Sequence, residues 1–147
     1  MNGTVVGSRT LEVENVAMHL LQKLAALPIE VKVYLRRPRE GEPEAFEVMA
    51  FKLCEALSIP VEWRISEPGG RVAVFLRDSQ MVKDSDAVIA YFDEDHLMSG
   101  GTGHVVECAI NEEKPVYAYT YDEKGVRWTA GLEPIEDLAV YSTAIGG

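Results

Sequence analysis

A run of six apolar residues at positions 87–92, Ala-Val-Ile-Ala-Tyr-Phe, constrains the fold more than any other feature of the sequence. A strand with one solvent-exposed face alternates apolar and polar residues, whereas a parallel strand covered by helices on both faces is apolar throughout. A glycine-rich segment and then an amphipathic segment follow the run, within residues 99–111. The pattern therefore predicts a buried parallel strand that leads through a turn into a helix.

Short apolar runs alternate with longer amphipathic segments along the rest of the chain. Strands are predicted at residues 4–6, 30–35, 61–65, 87–92 and 115–120. Helices are predicted at residues 11–27, 43–57 and 102–111, and a further helical segment opens at Gly69-Gly70, whereas residues 126–129 and 134–145 receive no firm assignment. This alternation, without a linker or a repeat, predicts one Rossmann-like domain over residues 1–147. We expect a three-layer α/β/α sandwich with a mainly parallel sheet of five or more strands.

The acidic composition argues against a polynucleotide partner. Asp and Glu outnumber Lys and Arg by 24 to 14, which gives a formal net charge of −10, whereas nucleic acid is bound mainly through basic surfaces. No apolar stretch approaches the ~18 residues of a membrane span, and no basic and apolar leader precedes the first strand. Cys54 and Cys108 form no CxxC pair, which indicates reduced thiols. We expect a cytoplasmic chain with neither a nucleic-acid nor a membrane partner.

The first predicted strand ends in the segment Gly7-Ser8-Arg9-Thr10. Parallel strands bring their carboxyl ends to one edge of the sheet, where the ligands of such folds bind. Glycine permits a tight turn, Ser8 and Thr10 offer hydroxyls, and Arg9 can hold a phosphate or carboxylate through two hydrogen bonds. The same residues would also make an ordinary turn with a helix cap. Taken alone, the segment leaves both interpretations open.

The segment at residues 99–107, Ser-Gly-Gly-Thr-Gly-His-Val-Val-Glu, follows the apolar strand and opens a helix. Glycines such as Gly100 and Gly101 let the backbone approach a phosphate closely, and Thr102 can cap the helix while its hydroxyl faces a ligand. The helix N-terminus adds unpaired N–H groups and a positive dipole end. The order of strand, glycines, hydroxyl and helix favours an anion site over a purely structural turn.

Several other polar side chains lie near these two segments. His104 and Glu107 are three residues apart and share a helix face; the histidine is most simply a helix-surface residue, and the glutamate is either a functional acceptor or a solvated side chain. Arg77 precedes the apolar strand and either reaches the same edge or pairs on the surface. The acidic stretch at residues 93–96 is interpreted as a solvated loop, so no metal site is predicted. The basic cluster at residues 36–39 is left open between a solvated loop and a functional one.

These segments together resemble the SLOG superfamily, the Rossmann-like group that contains the LONELY GUY phosphoribohydrolases and the DNA-processing protein DprA. Its small bacterial and phage members begin with a strand that ends in Gly-Ser-Arg-Thr, which occupies residues 7–10 here. They then carry Arg-Asn-x-x-Met and Asp-x-x-(Ile/Val)-Ala-Phe, similar to residues 77–81 and 86–91. Ser-x-Gly-Thr-x-His-x-x-Glu-x-Ala follows, and residues 99–109 match it without a gap. The resemblance covers residues 7–120.

The resemblance implies a nucleotide or nucleotide-derived ligand, no cofactor, and a homo-oligomer, a dimer or larger. The residues and the resemblance together assign ligand binding to ten positions: Gly7, Ser8, Arg9, Thr10, Arg77, Ser99, Gly100, Gly101, Thr102 and His104. Glu107 occupies the position of the phosphoribohydrolase glutamate and would be catalytic in an enzyme. The chain departs from those hydrolases at Asp78, where they carry a lysine, and at residues 37–44, which replace a glycine-rich turn of the superfamily.

Three functions follow from these observations. The leading one is a binding module whose small nucleotide-like ligand lies across the carboxyl edge of the sheet. The second is a hydrolase of the N-glycosidic bond of nucleotides, in which Glu107 stabilises an oxocarbenium ion or activates water while Arg9 and Arg77 hold phosphate. The third is a protein-interaction domain with a degenerate site. The missing lysine at Asp78 favours binding over hydrolysis.

Overall fold

Strands and helices alternate along the computed structural model, which describes residues 1–27, 31–96 and 99–130. The strands are β1 (Asn2–Gly7), β2 (Lys32–Arg37), β3 (Val61–Ile65), β4 (Ala87–Asp93), β5 (Val116–Asp122) and β6 (Gly125–Ala130). The helices are α1 (Ala17–Ala26), α2 (Ala45–Ala56), α3 (Gly70–Lys83) and α4 (Gly100–Asn111). Single turns of 3₁₀ helix lie at Val13–Asn15 and Glu94–His96.

The strands form one six-stranded sheet in the order β3-β2-β1-β4-β5-β6. Strands β1 to β5 are parallel, and β6 pairs antiparallel with β5. The apolar run at residues 87–92 lies in β4, between β1 and β5, and each of its side chains is at most 2% exposed. The chain runs outward in one direction from β1 and in the other from β4, so the switch point of the topology lies between these two strands. The predicted Rossmann-like α/β fold is confirmed.

Two hydrophobic cores cover the two faces of the sheet. Side chains of β1 alternate between them: Val5 packs in a core with α1 and α2, and Val6 packs in a core with α3 and α4. The second core includes Val105 and Val106 of α4, which are both fully buried. Parallel strands buried on both faces require helices on both faces. The described residues therefore form the predicted α/β/α sandwich.

The first helix begins later than the periodicity predicts. The apolar spacing predicted a helix from residue 11, but the α-helix starts at Ala17 after the 3₁₀ turn. Leu11 is nevertheless buried, with 6% exposure, so the apolar spacing in this stretch reports burial in the core rather than helical geometry. Helix α4 begins two residues earlier than predicted, at Gly100, whose φ of +67° is readily adopted by glycine. Residues 28–30 and 131–147, which include the unassigned stretch 134–145, lie outside the described residues.

Helix α2 lies unusually close to the end of β1 because Gly7 has no side chain. A Cβ built at Gly7 would lie 2.5 Å from Cδ2 of Phe46, the second residue of α2. Phe46 is 2% exposed and contacts Tyr91 of β4 with ring centroids 6.0 Å apart. Gly7 thereby lets α2 approach the carboxyl edge of the sheet. Among the described residues, no helix combines the length and apolarity needed to span a bilayer.

Candidate functional site

A cleft of about 1060 Å³ opens at the carboxyl edge of the parallel strands. The segments that follow β1, β2, β3 and β4 all contribute to its lining, and so does α3. Ser8 to Thr10 and Ser99 to Thr102 therefore line one common cleft, at the switch point of the sheet. The lining comprises Ser8, Arg9, Thr10, Arg36, Arg37, Pro38, Arg39, Glu44, Glu47, Ser66, Arg71, Val74, Phe75, Arg77, His96, Ser99, Gly100, Gly101 and Thr102.

Arginine dominates the charge of this cleft. Of the eight arginines in the sequence, six belong to the described lining: Arg9, Arg36, Arg37, Arg39, Arg71 and Arg77. Together with Glu44 and Glu47 they give the lining a formal charge of +4. Because the net charge of the chain is −10, its other residues sum to −14. A concave basic surface within an acidic protein focuses the field on the cleft and attracts small anions there. Arginine also matches the geometry of phosphate and carboxylate groups.

Arg36 ties together the ends of three neighbouring elements. Its Nη2 donates a hydrogen bond to the carbonyl oxygen of Gly7 at 3.3 Å and another to Oγ1 of Thr102 at 3.2 Å. The side chain reaches from the end of β2 across the end of β1 to the first turn of α4. Burial lowers the pKa of Arg36, although nearby Glu47 and Asp78 raise it. The first two residues of the basic cluster at residues 36–39 are thus part of a strand, and Arg36 is a partly buried member of the site.

Glu47 places a buried carboxyl group in the wall of the cleft. It lies in the first turn of α2, is only 3% exposed, and its Oε2 has no hydrogen-bond partner. Burial raises the pKa of Glu47 to about 7, against the opposing effect of the Arg36 charge. A carboxyl group that titrates near neutral pH can accept or donate a hydrogen bond and can transfer a proton.

Ser8 contributes a second unpartnered polar atom to the same lining. Its backbone N–H donates to the carbonyl oxygen of Tyr91 at 3.0 Å, which fixes the turn after β1 against the end of β4. The Ser8 side chain is buried, with the whole residue 7% exposed, and its Oγ has no partner. Buried polar side-chain atoms are normally hydrogen-bonded. Within the described lining of the cleft, Ser8 and Glu47 thus leave two buried polar groups available to a ligand.

A small hydrogen-bonded cluster fixes one end of the cleft. The hydroxyl of Thr10 donates to Asp93 Oδ2 and lies 3.1 Å from Nδ1 of His96. The same Nδ1 lies 2.7 Å from Oδ1 of Asp93. Partial burial raises the pKa of Asp93, but the hydrogen bonds from Thr10 and His96 outweigh it and hold that pKa below its usual value. These contacts join the segment after β1 to the segment after β4, and they occupy the Asp93 carboxylate.

Arg77 reaches the cleft and is held there by its sequence neighbour. Its Nε and Nη2 donate to Oδ1 of Asp78 at 3.0 and 2.9 Å. Asp78 is fully buried and its Oδ2 has no partner. Arg77 also lines a smaller cavity of about 410 Å³ between β3 and α3. Of the two arrangements that the sequence left open for Arg77, the structure has the one at the sheet edge, and its ion pair with Asp78 is buried rather than on the surface.

The glycines at the start of α4 have different structural roles. Gly100 adopts a positive φ, and a side chain there would meet nothing within 4 Å. A Cβ at Gly101 would lie 3.2 Å from Nη1 of Arg36, so glycine leaves room for that guanidinium. Ser99, and not the predicted Thr102, is the N-cap residue of α4, because the helix already begins at Gly100. The Ser99 side chain makes no capping hydrogen bond; its Oγ donates to the carbonyl oxygen of His96 at 3.0 Å. The first N–H groups of the helix lack intrahelical acceptors and lie at the rim of the cleft.

Three residues that the sequence assigned to the site do not line the cleft. Gly7 lies behind it, packed on Phe46. His104 stacks on Phe75, with ring centroids 4.2 Å apart, so that Phe75 and not the histidine faces the cleft. Glu107 is exposed on α4 and is absent from the lining. A role for Glu107 in the cleft therefore has no support from the geometry.

Arg36 and Glu47 are the functional candidates that sequence reasoning missed. The sequence places Arg36 in the basic cluster at residues 36–39, and it does not single out Glu47 within the helix predicted at residues 43–57. A signal for Glu47 existed, because it precedes Ala50 by three residues and Cys54 by seven, and both of these are fully buried. Residues at this spacing share a helix face. A glutamate on the apolar face of a helix is rarely buried unless it is paired with another polar or charged group.

Comparisons of the chain with protein-family models, with curated proteins and with solved structures give no significant match. Among the described residues, no group of three or more His, Cys, Asp and Glu side chains is arranged to hold a metal ion. The site is therefore interpreted from its own chemistry, as an arginine-rich cleft with two buried, unpartnered polar groups.

Proposed function

We propose that this chain binds a small phosphorylated ligand, a nucleotide or a nucleotide-derived molecule, in the arginine-lined cleft. The observation that carries the proposal is the concentration of six of the eight arginines around one cleft of a strongly acidic chain. Phosphate and carboxylate groups are the anions that arginine binds best, through paired N–H donors. The position at the switch point of a Rossmann-like sheet is where such folds bind their ligands.

The size and composition of the cleft support a ligand larger than a single anion. Its volume of about 1060 Å³ is at the upper end of the range for small-molecule sites, roughly 300–1,000 Å³. Val74 and Phe75 add apolar surface to the lining, against which a ring can pack. The N-terminus of α4 adds N–H donors for an anionic group. A phosphate on the arginines and an uncharged ring system beside Phe75 would use both parts.

The sequence motifs support assignment to the SLOG superfamily, as part of the same proposal. On this assignment the chain is a cytoplasmic homo-oligomer that binds neither polynucleotides nor membranes. Cys54 and Cys108 are free, in keeping with a reducing compartment. We propose binding rather than N-glycosidic hydrolysis because Glu107, the expected catalytic residue, is exposed and outside the cleft lining.

A thermal-shift screen with nucleoside monophosphates, diphosphates and triphosphates and with cyclic dinucleotides tests the proposal. A ligand at ~100 times its dissociation constant raises the free energy of unfolding by about 2.7 kcal/mol. The variants Arg9→Ala and Arg71→Ala remove exposed guanidinium groups of the cleft, and we expect each to weaken binding about 10-fold or more. Lys52→Ala removes the same charge from an exposed position of α2 outside the lining and serves as the control. Equal effects of the three variants would contradict the proposal.

A further inference from the structure

We infer that Glu47 recognises a hydroxyl group of the ligand, so that the cleft takes a phosphorylated ribose rather than a phosphate group alone. This inference rests on the proposed function and adds to it a subsite and a ligand class. The arginines at the cleft mouth would hold the phosphate, and Glu47 would select the sugar.

The Glu47 side chain is buried in the cleft wall with one carboxyl oxygen unsatisfied. It is 3% exposed and lines the cleft, yet Oε2 has no hydrogen-bond partner. A buried polar group without a partner is costly, and such groups in native proteins call for an explanation. The neighbouring Arg36 directs its Nη2 to Gly7 and Thr102, and Oε2 of Glu47 receives no hydrogen bond from it. A ligand that donates a hydrogen bond to Oε2 would satisfy the group.

The part of the cleft beside Glu47 does not suit an anion. Glu47 adds negative charge when it is ionised, so that a phosphate beside it would meet like charge. Arg39 and Arg71 carry exposed guanidinium groups in the same lining. Arg9 is also exposed, but its Nε already pairs with Oε1 of Glu44 at 3.5 Å. The phosphate is therefore best accommodated at the mouth of the cleft, and a neutral group at Glu47.

The Glu47 carboxyl favours a hydroxyl over other neutral groups. Burial brings the pKa of Glu47 to about 7, so both protonation states are populated near neutral pH. A hydroxyl group can donate to the carboxylate form and accept from the carboxylic acid form, whereas an amine or an amide N–H can only donate. Ser8 Oγ, the other buried and unpartnered group of the lining, is likewise suited to a hydroxyl. Ribose carries adjacent hydroxyls at a short distance from its phosphate, and it could engage both side chains.

Calorimetric titrations of the full chain test the inference. One arm uses the four ribonucleoside 5′-monophosphates and their 2′,3′-dideoxy counterparts, which differ only in the sugar hydroxyls. A second arm uses ribose 5-phosphate and so reports whether the base is needed for binding. For the wild type we expect the ribonucleotides to bind about 10-fold or more tightly than the dideoxynucleotides, the range of a hydrogen bond to a charged group.

The variants identify the residue responsible for that preference. Glu47→Met keeps the length of the side chain and removes both oxygens, so we expect the preference to fall to about twofold or less. Glu47→Gln keeps one acceptor oxygen and is expected to give an intermediate ratio, which also guards against misfolding of the methionine variant. Glu44→Met removes a half-exposed carboxylate of the same cleft that pairs with Arg9. This control should alter the affinity for all the nucleotides and leave the preference unchanged.

The outcomes separate this inference from the proposed function. Equal affinity of the wild type for the ribo and dideoxy forms would overturn the role of Glu47 while leaving the phosphate site intact. A preference that survives in both Glu47 variants would do the same. Absence of binding in both arms at millimolar concentration would overturn the proposed function and this inference with it.

Discussion

Nη2 of Arg36 lies 3.2 Å from Oγ1 of Thr102, and this contact joins the end of β2 to the first turn of α4 across the end of β1. The same nitrogen also donates to the carbonyl oxygen of Gly7. One side chain thereby links the segments on both sides of the topological switch point. This link adds to the contacts that Ser8 and Thr10 make with Tyr91 and Asp93, which also join the ends of β1 and β4.

Replacing Arg36 by methionine is expected to lower the free energy of unfolding by about 1–3 kcal/mol at pH 8. The substitution leaves the acceptors of Gly7 and Thr102 without this donor and removes the cation with the largest stabilising effect on the Glu47 carboxylate. Urea denaturation followed by circular dichroism measures the loss. The adjacent variant Arg37→Met is the control, since Arg37 lines the same cleft but packs its guanidinium over the Trp63 ring, 5.5 Å from the centroid. A larger loss in Arg37→Met than in Arg36→Met would contradict the linking role.

Replacing Glu47 by glutamine is expected to change the pH dependence of stability. Because folding raises the pKa of Glu47 from 4.5 to about 7, the folded state binds the proton more tightly, and stability from this group falls as the pH rises between those values. The glutamine variant has no ionisable group at this position and so does not lose this stability as the pH rises. Its free energy of unfolding relative to wild type should therefore rise by roughly 2–3 kcal/mol between pH 5 and pH 8. Parallel pH profiles of the two proteins, measured by urea denaturation, would show that the Glu47 carboxyl is not perturbed by folding.

Replacing Gly7 by alanine is expected to destabilise the fold by about 1–3 kcal/mol through overpacking against Phe46. The new Cβ would lie 2.5 Å from the ring, which has no space to withdraw because Phe46 is 2% exposed. A double-mutant cycle with Phe46→Leu measures the coupling, since a smaller side chain relieves the clash. We expect Gly7→Ala to cost less than ~1 kcal/mol in the Phe46→Leu background. If the effects of Gly7→Ala and Phe46→Leu on the free energy of unfolding are additive, the destabilisation by Gly7→Ala does not come from a clash with Phe46.

No free base is expected when wild-type protein is incubated with nucleoside monophosphates and the mixture is analysed by liquid chromatography. The expectation follows from the position of Glu107, which is exposed and outside the cleft. A general base or charge stabiliser must lie within hydrogen-bonding reach of the reacting atoms. Release of base by the wild type that disappears in Glu107→Gln, but persists in Glu47→Gln, would establish the hydrolase instead.

The fold was largely predictable from the sequence because its strongest signals are local. Residues 87–92 are apolar throughout because β4 is covered on both faces. The burial of this strand can therefore be recognised from six consecutive residues. The βα alternation then places residues 8–10 and 99–102 at one edge without any knowledge of distances. The start of the first helix was not predictable in this way, because Leu11 is buried by packing outside a helix.

The chemistry of the cleft was harder to predict because it depends on contacts between distant segments. In the sequence Arg36 is one residue of a basic cluster, and only the contact between the end of β2 and α4 shows that it belongs to the site. Glu47 is buried only because α2 packs against the end of β1. This packing of α2 depends on Gly7 and Phe46, which are 39 positions apart in the chain. Periodicity reports which face of a helix is buried, but not which polar side chains are buried with it.

The central claim is that the phosphorylated ligand lies in the arginine-lined cleft, and two-dimensional NMR of backbone amides tests it most directly. Adenosine 5′-monophosphate and the other ribonucleoside monophosphates would be titrated into labelled wild-type protein. The account predicts that the largest shifts fall in residues 8–10 and 99–102, whose N–H groups lie at the cleft. Shifts confined to the separate cavity beside Ile65 and Val72, or no saturable shifts at all, would contradict it.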